Sequence, residues 1–358
     1  MEIIEEDTWV CLEDNRNESK IVKVSEKKMV GWRKHKFDIG VILHKQYNTF
    51  WKIDKSNTVV EITSDQFYDN ADLDNQIDDA NIEITKTNKD LFDFNDSQKL
   101  TQEEIIQLKQ QKEGEEIVDE VIQNSKTFEQ KTEFSKAKYL KRKKEKYICC
   151  FMVLKTTIEN VHKTQFLESP QKLNFMRIDS LAFFMQLSSI TQNSNILMFD
   201  NANGVVVSAV AERLDGEGSI STVFWNHSKS NLRDYLPIQQ MNFNEEILKS
   251  IKLIKNLEDI EKNQNKYTHL LIAGEFKFTE IIEKYLNLIA VGGIIVIFST
   301  YLEKLHEVAE QLLSSGLCSK IDVLDSFLRY HQVLENRTHP KVEMNAFGGY
   351  LLQTYKLK

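Results

Sequence analysis

Cysteine is scarce in this chain and follows no recognisable spacing. Cys11, Cys149, Cys150 and Cys318 form no CxxC pair and no Cys/His metal pattern, so neither a disulfide framework nor a zinc site is indicated. The adjacent Cys149 and Cys150 sit in an apolar run and read as small core residues. Long apolar runs are missing as well: none reaches about 18 residues, the length needed to cross a bilayer. The acidic start, MEIIEEDTWV, lacks the apolar segment of a signal peptide. The expectation is a soluble protein of a reducing compartment, with no membrane and no metal. Internal repeats are absent. Glycine is short where a nucleotide-binding loop needs it, in NILMFDNANGVVVSAVAERLDGEG, residues 195–218.

A net charge of −8 argues against a polyanionic partner only while the charge is averaged. The stretch from Ser64 to Asp96 is rich in Asp, whereas Lys136, Lys138, Lys141, Arg142, Lys143, Lys144 and Lys146 crowd a short segment against a lone Glu145. Fields are local over about 8 Å at physiological salt, so a basic face can bind a polyanion on an acidic protein. The rival readings of that segment are a solvated helix face and a nuclear address. Near the C-terminus Arg329, His331, Arg337, His339 and Lys341 interleave with Phe327 and Tyr330, which suits an RNA surface or a core edge.

At 358 residues the chain has room for two domains. Residues 1–64 read as short β-branched and aromatic strands (TWVCL, KIVKV, KKMVGW, FDIGVIL, TFWKI, TVVEIT), the pattern of a small antiparallel barrel. Residues 65–96 read as an acidic linker and 97–146 as a helical connector ending in the basic helix. Thr101 with Glu104, and Thr127 with Gln130, are candidate capping boxes. From residue 147 to 358, apolar strands alternate with amphipathic helices, beginning with YICCFMVLK. This predicts a doubly wound, mainly parallel sheet closed by an antiparallel C-terminal hairpin. The polar region around Gln239–Lys266 reads as a surface insertion.

The second domain has the grammar of a Rossmann-like methyltransferase that would hold S-adenosylmethionine (SAM) after NILMFD. Such a loop uses one glycine for its tight turn, one for close approach to the ligand and one for helix packing. In that register the chain reads Asp200, Ala202, Gly204 and Val206, so only the middle glycine remains. Where a ribose-binding acid would follow the next strand stand Asn226 and His227, and Glu275 after the fourth strand reads as a helix cap. No competent SAM site is expected. Arg213 and the glycines of LDGEG are expected to form a polar loop at the carboxyl end of the sheet.

The blocks SQKLTQEEI, GEEIVDEVIQNSKTFEQKTEFSKAKYLKRKKEKY, MRIDSLA, GVVVSAVAERLDGEGSI, LRYHQVLENRTHPK and GGYLL resemble, in order and spacing, the non-catalytic subunit of the eukaryotic tRNA (adenine(58)-N(1))-methyltransferase. The resemblance covers most of the chain from Asp90 onward. It implies an α/β protein in which a β-barrel-like domain precedes a methyltransferase-like domain without SAM. It also implies assembly with a catalytic SAM-binding paralogue as a two-plus-two heterotetramer that acts on tRNA in the nucleus. The positions it implies for tRNA contact are Asn88, Ser97, Gln98 and Lys99, then Lys141, Arg142, Lys143, Lys144 and Lys146. Further along they are Arg177, Arg213, Gly216, Gly218, Arg329, Tyr330, Gln332, Gly348, Gly349 and Tyr350. In NAFGGYLL, Ala346 and Phe347 stand where the family has a longer glycine run. The residues themselves leave three rivals open: an active SAM-dependent RNA methyltransferase, a scaffold without RNA contact, and a translation-associated RNA-binding protein.

Overall fold

The computed structural model describes residues 2–69, 98–224, 231–261, 266–333, 338–345 and 347–358. Residues 70–96 of the acidic linker, Asn88 among them, and Ser97, Asn226, His227, Arg337 and Ala346 therefore lie outside the described residues. The first linker residues, 65–69, instead form a short helix that buries Phe67. The chain divides into two units, Met1–Lys155 with His331–Pro340, and Thr156–Tyr330 with Lys341–Lys358. None of its described helices is long and apolar enough to cross a membrane.

The first unit runs through β1 (Trp9–Asp14), β2 (Ser19–Lys23), β3 (Met29–Trp32), β4 (His35–Asp38), β5 (Thr49–Ile53) and β6 (Val59–Ile62). The helices α1 (Ser64–Asp69), α2 (Gln102–Gln111), α3 (Gly114–Gln123) and α4 (Glu133–Tyr147) follow, and then β7 (Cys149–Lys155). Five strands form an antiparallel sheet in the order β2-β1-β7-β5-β6, and β3 and β4 make a separate hairpin. Hairpin residues Val30, Trp32 and Phe37 share a core with Val10, Trp51 and Phe151 of the sheet. The predicted strand FDIGVIL stops early, because the Asp38 carboxylate accepts the Gly40 N–H at 2.9 Å and turns the chain into a short 3-10 helix.

Strand β7 begins the second domain in the sequence reading, yet it runs down the middle of the first sheet, between β1 and β5. An apolar run specifies burial without specifying which sheet supplies it. Burial pushes the thiols of Cys149 and Cys150 up to about 11 and about 12, so both are inert core groups. The Thr101–Glu104 capping box opens α2 as expected. Helix α4 starts later than expected: Thr132, which accepts the Ser135 N–H, is its N-cap, while Thr127 takes part in a preceding turn.

In the second unit α5 (Ile158–Glu168) and α6 (Ile178–Ser188) lead to β8 (Asn195–Asp200), α7 (Val205–Leu214) and β9 (Ser219–Phe224). Next come α8 (Leu236–Gln240), α9 (Glu245–Ser250), β10 (Ile251–Leu253), α10 (Glu258–Glu261), β11 (Tyr267–Ala273) and α11 (Phe278–Tyr285). They are followed by β12 (Ile289–Ser299), α12 (Leu302–Ser315) and β13 (Cys318–Asp325). After the short antiparallel pair β14 (His331–Gln332) and β15 (His339–Pro340), which groups with the first unit, β16 (Tyr350–Lys356) completes the chain.

The sheet order is β10-β9-β8-β11-β12-β16-β13, parallel except for β16, which is antiparallel to both neighbours. This is the doubly wound sheet predicted above; of the expected closing hairpin only β16 joins it, between β12 and β13, while β14 and β15 pair apart from it. Alternation along β8 divides two cores: Ile196 and Met198 belong to one, Leu197 and Phe199 to the other. The order reverses direction between β8 and β11, the switch point where ligands of such sheets sit.

The region read as a surface insertion is corrected by the fold. It supplies the edge strand β10, and Ile251, Ile254 and Ile260 are buried. Their apolar side chains are thinly spread among Lys, Glu and Asn, which hides the strand from composition. The turn between α7 and β9 has its own requirement. A Cβ on Gly218 would stand 2.5 Å from the Ser194 carbonyl and 2.7 Å from that of Gln192, whereas one on Gly31 would meet nothing within 4 Å. Gly218→Ala is expected to destabilise the protein by about 1–3 kcal/mol, and Gly31→Ala to be close to neutral, as read by chemical denaturation. Equal stability of the two variants would contradict the packing at Gly218.

Candidate functional site

At the switch point, Asp200 ends β8 fully buried. Its carboxylate accepts N–H groups from Ala202 and, at 3.1 Å, from Val207. Gly204, with φ of 89°, makes the turn that only a residue tolerant of positive φ adopts easily. Burial pushes the Asp200 pKa up to about 6, against the lowering effect of the Ala202, Val207 and Gly204 amides. The strand-turn-helix of a cofactor loop is thus present, closed on its own carboxylate.

The space in front of that loop holds protein. A Cβ on Gly204 would lie 3.3 Å from Cβ of Tyr235 and 3.6 Å from Ile238, both buried. Tyr235 stacks on Phe224, the last residue of β9, with ring centroids 3.7 Å apart. Burial, and secondly the Asp200 charge, pushes the Tyr235 phenol up to about 12. Across the switch point the Asn174 amide donates to the Asn201 carbonyl, and the Asn201 N–H donates to Ala273 at 2.8 Å. Ala202 and Val206, where the glycines of such a loop would stand, are buried beside it. Glu275 is a tether: it accepts from Ser299, Thr300 and, at 2.6 Å, Lys304 at the start of α12. Burial raises its pKa, but these partners outweigh burial and hold it low. Among the described residues no cluster of His, Cys, Asp and Glu could hold a metal ion.

The basic segment is the helix α4. Lys138, Arg142 and Lys146 are exposed at four-residue intervals and so share one face. Lys143 is less exposed, with Nζ 4.9 Å from the centre of the Tyr139 ring, and burial lowers its pKa. Lys141 and Lys144 are half-buried. The helix end is fixed to the β-strand part of the unit: Arg16 and Arg33 both donate to the Glu145 carbonyl, and Arg33 is paired with the buried Asp14. Cations at a helix C-terminus also complement its dipole.

Sequence comparison decides which lineage this arrangement comes from. Residues 3–273 match the family model described as the Gcd10p family. The chain belongs to the Gcd10p family. A relative from Dictyostelium discoideum, named tRNA (adenine(58)-N(1))-methyltransferase non-catalytic subunit trm6, is 26% identical, over 99% of this chain and 80% of its own. A mouse relative of the same name is 26% identical over 75% of this chain and 73% of its own. Two solved structures share the fold. A SAM-dependent O-methyltransferase from Thermotoga maritima has a TM-score of 0.59 at 10% identity and covers 99% of this chain and 95% of its own. The tRNA (m1A58) methyltransferase TrmI from Aquifex aeolicus has a TM-score of 0.53 at 12% identity, with both chains covered in full.

In this Gcd10p-family chain the candidate RNA residues fall into distinct places. Gln98 and Lys99 are tied to the end of α3, through Gln98 to the Val121 carbonyl and the Lys99 N–H to Asn124. In the second unit Arg177 is buried and committed. It makes a two-pronged pair with Asp179 and donates to the Asn345 and Ser326 carbonyls, while neighbouring Ser180 donates to the Gly348 carbonyl at 2.6 Å. Gly348 and Gly349 are buried, and Tyr350 pairs with Ser299 and Asp325 at the carboxyl end of the sheet. Phe327, Arg329 and Tyr330 project outward from the segment that Arg177 anchors, and Gln332 lies in β14.

Arg213, Gly216 and Gly218 are not at that end. Helix α7 returns the chain to the start of β9, where Ser219 pairs with Asn195, so their loop lies at the amino edge of the sheet. The sequence reading placed it at the carboxyl edge by attaching the loop to the wrong end of the helix. Sequence reasoning also missed Tyr235, Ile238, Arg16 and Arg33, whose roles depend on contacts far away along the chain.

The buried carboxylate sets a testable titration. An ordinary Asp titrates near 3.9. The native state therefore holds a proton on Asp200 between about pH 4 and 6 where the unfolded chain does not. Its contribution to stability is full below about pH 4 and is lost as pH rises through 6. The ¹³C resonance of the Asp200 carboxyl is expected to show a midpoint near 6, absent in Asp200→Asn. A midpoint below 4 would contradict the burial described.

Proposed function

We propose that this chain is the non-catalytic, tRNA-binding subunit of a tRNA N1-methyladenosine methyltransferase acting at position 58. In this reading it binds no SAM and holds tRNA for a SAM-binding catalytic paralogue, in a two-plus-two assembly in the nucleus. One observation carries the reading: Tyr235 and Ile238 pack against the Gly204 turn, with Phe224 stacked on Tyr235, while α4 presents an ordered cationic face. The names of the Dictyostelium and mouse relatives support the same assignment.

The chemistry asked of the chain is positional. RNA helices are recognised mainly through shape, phosphates and 2′-hydroxyls. Cations at Lys138, Arg142 and Lys146 suit phosphate contact, which releases counterions and weakens as salt rises. A base methylated at a ring nitrogen has to leave its stack, and that disruption costs a few kcal/mol. Binding energy supplied by this subunit offsets part of that cost. The exposed Phe327, Arg329 and Tyr330 suit a second contact, with Arg177 holding their segment in place rather than touching RNA.

In the assembled complex, Lys138→Ala with Arg142→Ala is expected to weaken tRNA binding and reduce the slope of log affinity against log salt by about 1–2. An unchanged slope would sink the role of α4 and favour a scaffold without RNA contact. Calorimetry on the purified chain is expected to show no SAM binding; micromolar affinity would revive an active methyltransferase.

A further inference from the structure

The first unit contains a cleft of about 550 Å³ that the α4 face does not account for. Among the described residues, eight lysine and arginine side chains line it against two glutamates. Most of those cations are already neutralised or committed. Lys52 pairs with Glu115, Lys55 lies 3.9 Å from Glu113, Lys112 pairs with Glu120, and Arg33 with Asp14. Arg16 is bound to the Glu145 carbonyl. Three ammonium groups remain for which the described residues supply no carboxylate: Lys34 in the β3–β4 turn, Lys109 in the last turn of α2 and Lys146 in the last turn of α4.

These three come from separate elements and converge. Lys109 Nζ lies 5.4 Å and Lys146 Nζ 5.5 Å from the centre of the same Tyr147 ring. Burial, and then the charges of Lys34 and Lys146, hold the Lys109 pKa below its ordinary value. Gathering like charges without a counter-charge is costly, and the cost is relieved by an anion that presents several oxygens in different directions. The carboxylates on the walls do not supply it: Glu18 lies 3.7 Å from Arg33, and Glu113 faces Lys55.

We propose that Lys34, Lys109 and Lys146 form a phosphate-binding cleft that takes the sugar-phosphate backbone of RNA, extending the RNA path from α4 onto the β3–β4 hairpin and α2. The proposal rests on the tRNA-binding reading above. Continuity favours RNA over an acidic peptide: Lys146 belongs both to the cleft and to the exposed row Lys138–Arg142–Lys146, so one strand running along α4 reaches the cleft. Lysine suits this task as a mobile point charge with three donors, which accepts a phosphate without demanding one orientation.

The test uses the assembled complex and tRNA, with affinities measured across a salt series for Lys34→Gln/Lys109→Gln, Lys34→Arg/Lys109→Arg and Lys138→Ala/Arg142→Ala. Lys34 and Lys109 are exposed, and the glutamine pair removes repulsion, so their replacement is expected not to lower the thermal unfolding temperature. The glutamine pair is expected to weaken binding roughly tenfold and to lower the salt slope by about 1.5, at 0.7–0.9 per phosphate contact. The arginine pair is expected to restore both. Glutamine variants that bind as the parent does, beside a weakened Lys138→Ala/Arg142→Ala, would place the cleft off the RNA path and overturn this proposal alone. Loss of effect in both sets would overturn the RNA-binding reading itself. Poly-glutamate that binds the parent but not the glutamine variants, while tRNA binds both alike, would assign the cleft to an acidic peptide instead.

Discussion

A carboxylate buried in a protein has to find donors, and in the second unit the donors of Asp200 are the backbone amides of its own turn. Much of the local arrangement depends on that requirement. Holding Ala202 and Val207 on one side chain sets the left-handed turn at Gly204 and the start of α7. The turn in turn offers an apolar surface against which Tyr235 and Ile238 pack. In a working cofactor loop those amides and that surface face a ligand. Here Tyr235 and Ile238 pack on that surface, and Ala202 and Val206 add buried side chains to it.

Charge follows a comparable division between holding the chain and remaining available to a partner. Arg177 has every prong of its guanidinium on protein, and it gathers Ser326, Asn345 and Gly348 beneath an exposed segment carrying Phe327, Arg329 and Tyr330. Arg16 and Arg33 are likewise spent on the end of α4. Arginine serves well in these positions because its planar fork satisfies several acceptors at once. Lysines such as Lys34, Lys109 and Lys146 keep their heads in the cleft, and Lys138 stays exposed on the α4 face.

What the sequence made legible, and what it hid, follows from the range of the signals. Alternation along NILMFD, the Thr101–Glu104 box and the strand-helix grammar of residues 195–325 are local, and the structure reproduces them. The missing glycines were equally local, and Ala202 and Val206 in their places are buried. Placement of YICCFMVLK depended on a partner sheet more than a hundred residues upstream, and β10 depended on three isolated isoleucines. Among the site residues, the row on α4 was visible as composition. The commitment of Arg177, the packing of Tyr235 against Gly204 and the convergence of Lys34 with Lys109 arise only once distant segments meet. Neither periodicity nor spacing carries that information.

The anchoring of α4 has a thermodynamic consequence. A lysine-rich helix of 15 residues is marginal in water on its own, because nucleation is costly and its like charges repel. This one is capped at its start by Thr132 and held at its end by two guanidinium groups from the β-strand part of the unit. Its conformational entropy is therefore surrendered when the protein folds, before any ligand arrives. A partner that docks along it meets a rigid row of charges instead of an ensemble, and loses correspondingly little of its binding free energy to ordering the helix.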